Sequence, residues 1–476
     1  MLPERMRLCF VAYRGNMNCG GQGVYLWFLS RELARLGFEI DVFVGPPYPD
    51  PMPFAERVHR IANQEHWAKW FSRDYAGMLP EKNPLAAFKP LNLYELAASR
   101  MGFLPEPFAF SIRAFASISA RLRAGQRWDL IHDVQCLGYG LLGLRAMGIP
   151  VVTTVHHPLT VDRRASLIRD TNFTEAVGSM QFYPIGMQSF VARRIDRVLT
   201  SSESSARQIA ADFGVEPRKI TNVWNGLDTQ LYSPSQAVAK SDTTVLCVGR
   251  ASDPNKGIRT LIEALGRTPE HITLTLVDND HPGNEVFKWA REAGVADRLR
   301  VTGRLPIEEL IHHYRTAALV AVPSRYEGFG LPAVEAMACG TPVAALRRGA
   351  VDEVIDDGVT GGIFDSLDEL VQGLPTVLAL DRSRVRSHAV RRFGPERMVA
   401  APAEAYAALV TAPHRPRRTS LWARVRRAQA CRDADSSQRR VDRRRLSRLR
   451  WTACHLRQRL RTDTWTRAHR ACSTCT

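Results

Sequence analysis

Residues 324–340 read SRYEGFGLPAVEAMACG, and the fold turns on how this stretch is understood. The apolar run 319–323 before it has the length of a buried strand and empties into a glycine-bearing loop. Pro332 suits a first helical position, where a missing N–H leaves no bond unmade, and Gly340 suits the residue just past the helix end. Glu327 then lies in the loop and Glu335 one turn into the helix. A strand–loop–helix junction of this kind aims the positive end of a helix at the C-terminal edge of a sheet, where it attracts phosphate. Carboxylates beside it can accept hydrogen bonds from sugar hydroxyls. The competing interpretation is one Glu favouring its own helix dipole and one solvated loop Glu. The remainder of the chain discriminates between them.

Upstream the same alternation recurs. Residues 7–12 read as a strand that feeds the loop RGNMNCGGQG and a helix with apolar Val24, Leu26, Trp27, Leu29, Leu33 and Leu36; Gly37 caps it and 38–44 form the next strand. Gly20, Gly21 and Gly23 at the turn would let backbone amides approach a phosphate or sugar, but the spacing is not G-x-G-x-x-G and a plain tight turn competes. After a strand at 128–134, the run PVVTTVHHP carries His156 and His157 to a strand's C-terminal end, where open α/β sheets bind ligands. No Cys, Asp or Glu stands beside them at metal-site spacing, so no metal site is read. The polar stretch 233–244 reads as a linker, and a fresh strand at 245–249 leads into RASDPNKG. There Arg250 and Lys256 flank a loop that opens a helix at Gly257, a stronger phosphate site than either cation alone, although solvated loop cations are commoner. The βα alternation in two halves predicts an α/β architecture of two Rossmann-like, doubly wound parallel-sheet domains facing a central cleft.

Composition supports a globular enzyme: 45% hydrophobic and 8% aromatic residues are too many for a disordered chain. The net charge of +17 would suit nucleic acid, but residues 412–476 alone carry nineteen Arg against four Asp. The body is nearly neutral, and no specific nucleic-acid partner is expected from it. Scattered body cysteines, the lack of an apolar run of membrane-spanning length and an N-terminus without a signal-like segment together read as cytoplasmic. Residues 46–127 interleave apolar and basic side chains, as a helical insertion on the core or as a surface for a lipid or bulky acceptor, with peripheral contact at the inner membrane face.

With these residues assembled, the chain resembles the retaining glycosyltransferases of family four, which have the GT-B fold. Glu327 and Glu335 match the family's E-x7-E motif within EGFGLPAVEAMACGTPVAA; VGR and NKG with Arg250 and Lys256, NGLD near the domain crossing, and the first glycine turn support it. The resemblance spans roughly residues 7 to 411. It implies transfer of a sugar from a nucleoside-diphosphate sugar, UDP- or GDP-linked, to a glycan, lipid or small-molecule hydroxyl, with no further cofactor. It implies that Arg250 and Lys256 neutralise the diphosphate, Glu335 binds the ribose, Glu327 the donor sugar, and Phe329, Gly330 and Leu331 offer amides. His156 would meet the donor sugar at the reacting face, and Gly21 and Gly23 would line the donor side. The domains expected are 1–232 on the acceptor side, 245–395 on the nucleotide-sugar side, and a C-terminal helix at 396–411 packing back on the first.

Two departures stand out. Asp278-Asn279-Asp280 replaces the glycines usual there, which could narrow the cleft or attract a divalent metal. Gly349-Ala350 stands where Gly-Gly is typical, with little consequence expected. The tail 412–476 reads as a disordered extension or an out-of-frame product. Rival functions are a GT-B epimerase or phosphorylase, and a non-catalytic basic adaptor acting through the tail.

Overall fold

The computed structural model describes residues 6–17, 21–63, 88–170, 173–278 and 283–411. Cys19, Gly20, Asn279, Asp280, the middle of the 46–127 region and the whole tail lie outside the described residues.

Thirteen strands form two sheets among the described residues. In the first, β1 (Arg7–Ala12), β2 (Glu39–Val44), β3 (Arg57–Arg60), β4 (Leu130–Val134), β5 (Val151–Thr154), β6 (Arg197–Thr200) and β7 (Ile220–Asn222) lie in the order β3-β2-β1-β4-β5-β6-β7. The second holds β8 (Thr244–Val248), β9 (Thr273–Val277), β10 (Leu299–Val301), β11 (Leu319–Val322), β12 (Val343–Leu346) and β13 (Gly361–Phe364), ordered β10-β9-β8-β11-β12-β13. Every strand pair is parallel. Helices cover both faces of such sheets, so central strands must be apolar on both sides. β1, β4 and β11 are accordingly buried almost throughout.

Strand order reverses between β1 and β4 in one sheet and between β8 and β11 in the other. At such a switch point the following loops diverge to opposite faces and leave a crevice at the carboxyl ends. The glycine turn therefore shares a crevice with the segment after β4, and the loop carrying Arg250 and Lys256 shares one with the Glu327 loop.

The first helix, Gly21–Arg35, buries Tyr25, Leu26, Phe28, Leu29 and Leu33. Its apolar face is rotated from the one the sequence suggests. Leu36 is 59% exposed because it falls beyond the last helical residue, while Trp27 leans out to meet Phe54 edge-on and Arg31. β3, with sequence RVHR, is an edge strand that no periodicity announced; its exposed Arg57 and Arg60 keep the sheet edge wet.

The chain leaves the first sheet through residues 228–243 and comes back after the helix Arg382–Phe393. Asp228 accepts from Arg31 at 2.7 Å, and the Arg386 guanidinium donates to the carbonyls of Thr229, Tyr232 and Ala338, each at 2.6 Å. The last helix, Pro395–Thr411, lies against the first, and its Met398, Val399, Ala403 and Tyr406 join the core beneath β1. Pro402 is accommodated inside this helix.

Candidate active site

The helix Leu331–Ala338 starts behind Gly330, whose φ of +93° favours a residue without Cβ, and it ends at Cys339 before Gly340 at +77°. Its N-terminal end, where Pro332 carries no N–H and the Ala333 and Val334 amides bond the Gly330 carbonyl, lies at the switch-point crevice. Glu327, in the loop before it, accepts from the Lys256 ammonium at 3.1 Å and from the Ser324 hydroxyl at 2.9 Å. Lys256 sits at the end of a 3-10 turn (Pro254–Lys256) capped by Asp253, and Gly257 follows at φ +63°. A Cβ on Gly257 would stand 2.1 Å from the Pro323 carbonyl oxygen, so only glycine lets the two loops meet. Burial opposes the charge on Lys256, but Glu327 outweighs it and holds the ammonium above its ordinary pKa. This cation remains charged at any working pH.

Arg250 is exposed and has no ion-pair partner among the described residues. Its loop is braced by Asp278, which is buried and accepts from the Ala251 amide at 2.8 Å. Asp278 thus serves the loop backbone. Glu335 lies 8% exposed in the core of the second domain, accepting from the Tyr314 hydroxyl at 2.6 Å and from Tyr232. Burial raises its pKa and the two hydroxyls only partly restore it. The structure therefore brings Lys256, Ser324 and Glu327 into one cluster, while Glu335 is held by tyrosines.

The first domain supplies the facing wall. Gly23 permits an approach of the Asn16 carbonyl, whose oxygen lies 2.1 Å from where a Cβ would sit. Gly21 is exposed, and a Cβ there would meet Leu331 at 3.6 Å across the cleft. The His156 carbonyl lies 3.0 Å from the Cβ position of Gly328, so the Glu327 loop and the histidine pair touch. Burial, then the neighbouring His157, lowers His156 to about 3, and its Nε2 is buried without a partner. Its ring is a neutral hydrogen-bonding group, not a cation.

Sequence reasoning missed several residues that hold this wall. Gln135, in the left-handed region at φ +51°, accepts from the His156 amide at 3.0 Å and donates to the His157 carbonyl at 2.9 Å. A non-glycine residue there is strained, and its one signal was position just past β4 at the switch point. Asp162 accepts from His157 Nε2 at 3.1 Å and, across the cleft, from Asn255 at 3.2 Å. Further along, Glu353 receives the amides of Glu203 and Ser204 at 2.7 and 2.8 Å, and Ser202 donates to the Gly328 carbonyl at 2.7 Å. Nothing in local spacing announces these cross-domain pairs.

The two halves of the chain match two family models in turn, Glycosyltransferase Family 4 over residues 19–231 and Glycosyl transferases group 1 over residues 228–389. A curated relative, the MMP alpha-(1->4)-mannosyltransferase of Mycolicibacterium hassiacum, is 36% identical over 402 residues, 82% of this chain and 92% of that protein. The chain belongs to the family-four, group 1 glycosyltransferases. A D-inositol 3-phosphate glycosyltransferase of Mycobacterium sp. is 29% identical, covering 77% of this chain and 80% of that one. Among solved structures, the sucrose-phosphate synthase of Thermosynechococcus elongatus superposes with a TM-score of 0.58 at 22% identity, covering 85% of this chain and 97% of that chain. Anabaena HepE in complex with UDP and glucose gives 0.60 at 19% identity, covering 85% and 100%. The glycosyltransferase fold is thus GT-B, two parallel-sheet domains with their carboxyl edges toward one cleft. Among the described residues no helix is long and apolar enough to cross a membrane.

Proposed function

We propose that this glycosyltransferase moves a hexosyl group, with a mannosyl group as the first candidate, from a nucleoside diphosphate to an acceptor hydroxyl with retention of configuration. The observation that carries the proposal is the Lys256–Glu327–Ser324 cluster at the second sheet's switch point, against the wall holding His156. The mannosyl preference rests on the relative named a mannosyltransferase.

In this reading Lys256 and Arg250 take the donor diphosphate, together with the backbone amides of Phe329, Gly330 and Leu331 at the loop-to-helix junction. As the glycosidic bond breaks, negative charge grows on the leaving phosphate, and fixed cations and helix dipoles stabilise it without reorganising. Binding a diphosphate lets Lys256 share its charge, which frees Glu327 to accept from sugar hydroxyls. His156 meets the donor sugar with its unpaired Nε2, and Gly21 and Gly23 keep the first-domain wall close. Glu335 holds the ribose: its tyrosine partners fix the carboxylate, and a carboxylate's four acceptor sites leave room for a diol. No side chain is assigned as nucleophile; the departing phosphate accepts the acceptor's proton on the same face. The acceptor, a glycan, lipid or small molecule, docks on the first domain.

Isothermal titration against GDP-mannose, UDP-glucose and ADP-glucose tests the donor reading. Micromolar binding of one of them, weakened at least about tenfold by Glu327→Gln with Lys256→Met, is expected. Failure of all three to bind would remove the basis for the proposal. The one-bond carbon–proton coupling at the anomeric centre of the product, read by NMR, tests retention.

A further inference from the structure

A second set of polar residues lies beneath the His156 wall, outside the cleft. Tyr406, on the last helix, places its hydroxyl 2.6 Å from His132 Nδ1. The other ring nitrogen, Nε2, is 2.7 Å from the Thr154 hydroxyl, which in turn lies 2.9 Å from the hydroxyl of Tyr25. Tyr25 presents its ring to His156 edge-on, with centroids 4.9 Å apart at 84°. All four residues, Tyr406, His132, Thr154 and Tyr25, are at most 3% exposed.

The hydrogens close. A neutral imidazole has one N–H and one acceptor nitrogen, and burial keeps His132 neutral by lowering its pKa to about 3. The three bonds can then all run toward Tyr406 or all run toward Tyr25, each direction selecting one His132 tautomer. At the ring the two bonds must run the same way, since opposed directions at His132 would leave one nitrogen without its match. Buried hydrogen bonds of this kind are costly to leave half made, so the four side chains are held as a unit. The polar string lies where four elements converge. These are the last helix, β4, the end of β5 two residues before His156, and the first helix two residues after Gly23.

We propose that Tyr406, His132, Thr154 and Tyr25 form a positioning string that sets the His156 ring, making the last helix of the chain a determinant of the donor cleft. The string acts through Tyr25 packing on His156 and through Thr154 anchoring the strand end that bears it. Its residues are positioning residues, since none reaches the cleft itself. The proposal rests on the reading of His156 as a donor-sugar contact.

The test compares T154V, T154S, Y406F and the double variant Y406F/T154V in a transfer assay, using the donor that the wild type turns over. Urea denaturation checks that each is folded. Loss of the hydroxyl in T154V, or of the remote oxygen in Y406F, is expected to lower kcat on the order of tenfold while donor KM stays within about twofold. T154S, which keeps the hydroxyl, restores kcat, and the double variant is no slower than T154V alone because both break one string. Folded T154V or Y406F with wild-type kcat overturns the proposal, as does T154S falling as far as T154V. If T154V does not fold, Y406F alone decides. Wild-type protein inert toward every donor overturns the reading of the cleft, and this proposal with it; an active wild type with unaffected variants overturns the string alone.

Discussion

Replacing Lys256 by Met keeps the length of the stem and removes the charge, which separates stability from donor recognition. At 3.1 Å the Lys256–Glu327 attraction is about 5 kcal/mol at an effective dielectric of 20. Desolvation offsets most of it, because the two side chains are only 28% and 12% exposed. The variant leaves Glu327 nearly buried with Ser324 as its remaining partner, a loss of about 1–3 kcal/mol in unfolding free energy. Adding Glu327→Gln removes the orphaned charge and should recover most of that stability. Transfer should not recover. A charge-assisted hydrogen bond to the leaving diphosphate contributes about 1.5–3 kcal/mol, so kcat/KM should fall roughly ten- to 150-fold in both variants. Urea denaturation and a nucleoside-diphosphate release assay on the same preparations give the two numbers. A K256M variant with kcat/KM within twofold of wild type would refute the phosphate role. Equal recovery of stability and activity in the double variant would make the lysine merely a partner for Glu327.

Three further outcomes follow from other contacts. Gly349→Ala places a Cβ 2.2 Å from the Glu327 carbonyl oxygen at a residue with φ +66°, and should destabilise by about 2–4 kcal/mol and slow transfer, read by thermal melting and kcat. Burial disfavours the His157 cation, yet Asp162 outweighs it and raises the pKa above the ordinary 6.5. Its stabilisation is thus full below pH 6.5 and lost as pH rises through the raised folded value. On the order of 0.5–1 kcal/mol of pH-dependent stability should therefore vanish in Asp162→Asn, and an unchanged profile between pH 5.5 and 9 would contradict the pair. A chain ending at Thr411 retains Tyr406 and the whole cleft, and should transfer sugar at the wild-type rate; loss of activity would give the arginine-rich tail a catalytic part.

Local chemistry made much of this molecule legible. Proline at the second residue of the helix Leu331–Ala338 and positive-φ glycines at 257, 330 and 340 punctuate the chain where backbone geometry demands them. Strand–loop–helix spacing placed Glu327 and Lys256 in loops at carboxyl edges, because that outcome depends on a few neighbouring residues. The edge strand RVHR is not legible in the sequence, since four residues with exposed charges at both ends carry no period. The buried face of the first helix differs from its hydropathic face for a related reason: Tyr25 and Phe28 are buried by what packs on them, which hydropathy along the helix does not contain.

By itself, then, the sequence determined two βα-alternating halves, the breaks between their elements, and the residue types available at each loop. Tertiary structure alone decided which of them meet. Strand order brought the Lys256 loop to Glu327, seventy-one residues on, and the cross-domain fit joined Asp162 to Asn255. Core packing enclosed Glu335 between tyrosines, and the returning last helix brought Tyr406 to His132 over a separation of 274 residues. The physical reason is range. Backbone conformation answers to neighbours a few residues away, whereas hydrogen-bond and ion pairing answer to distance in space, and that exists only once the sheets have formed.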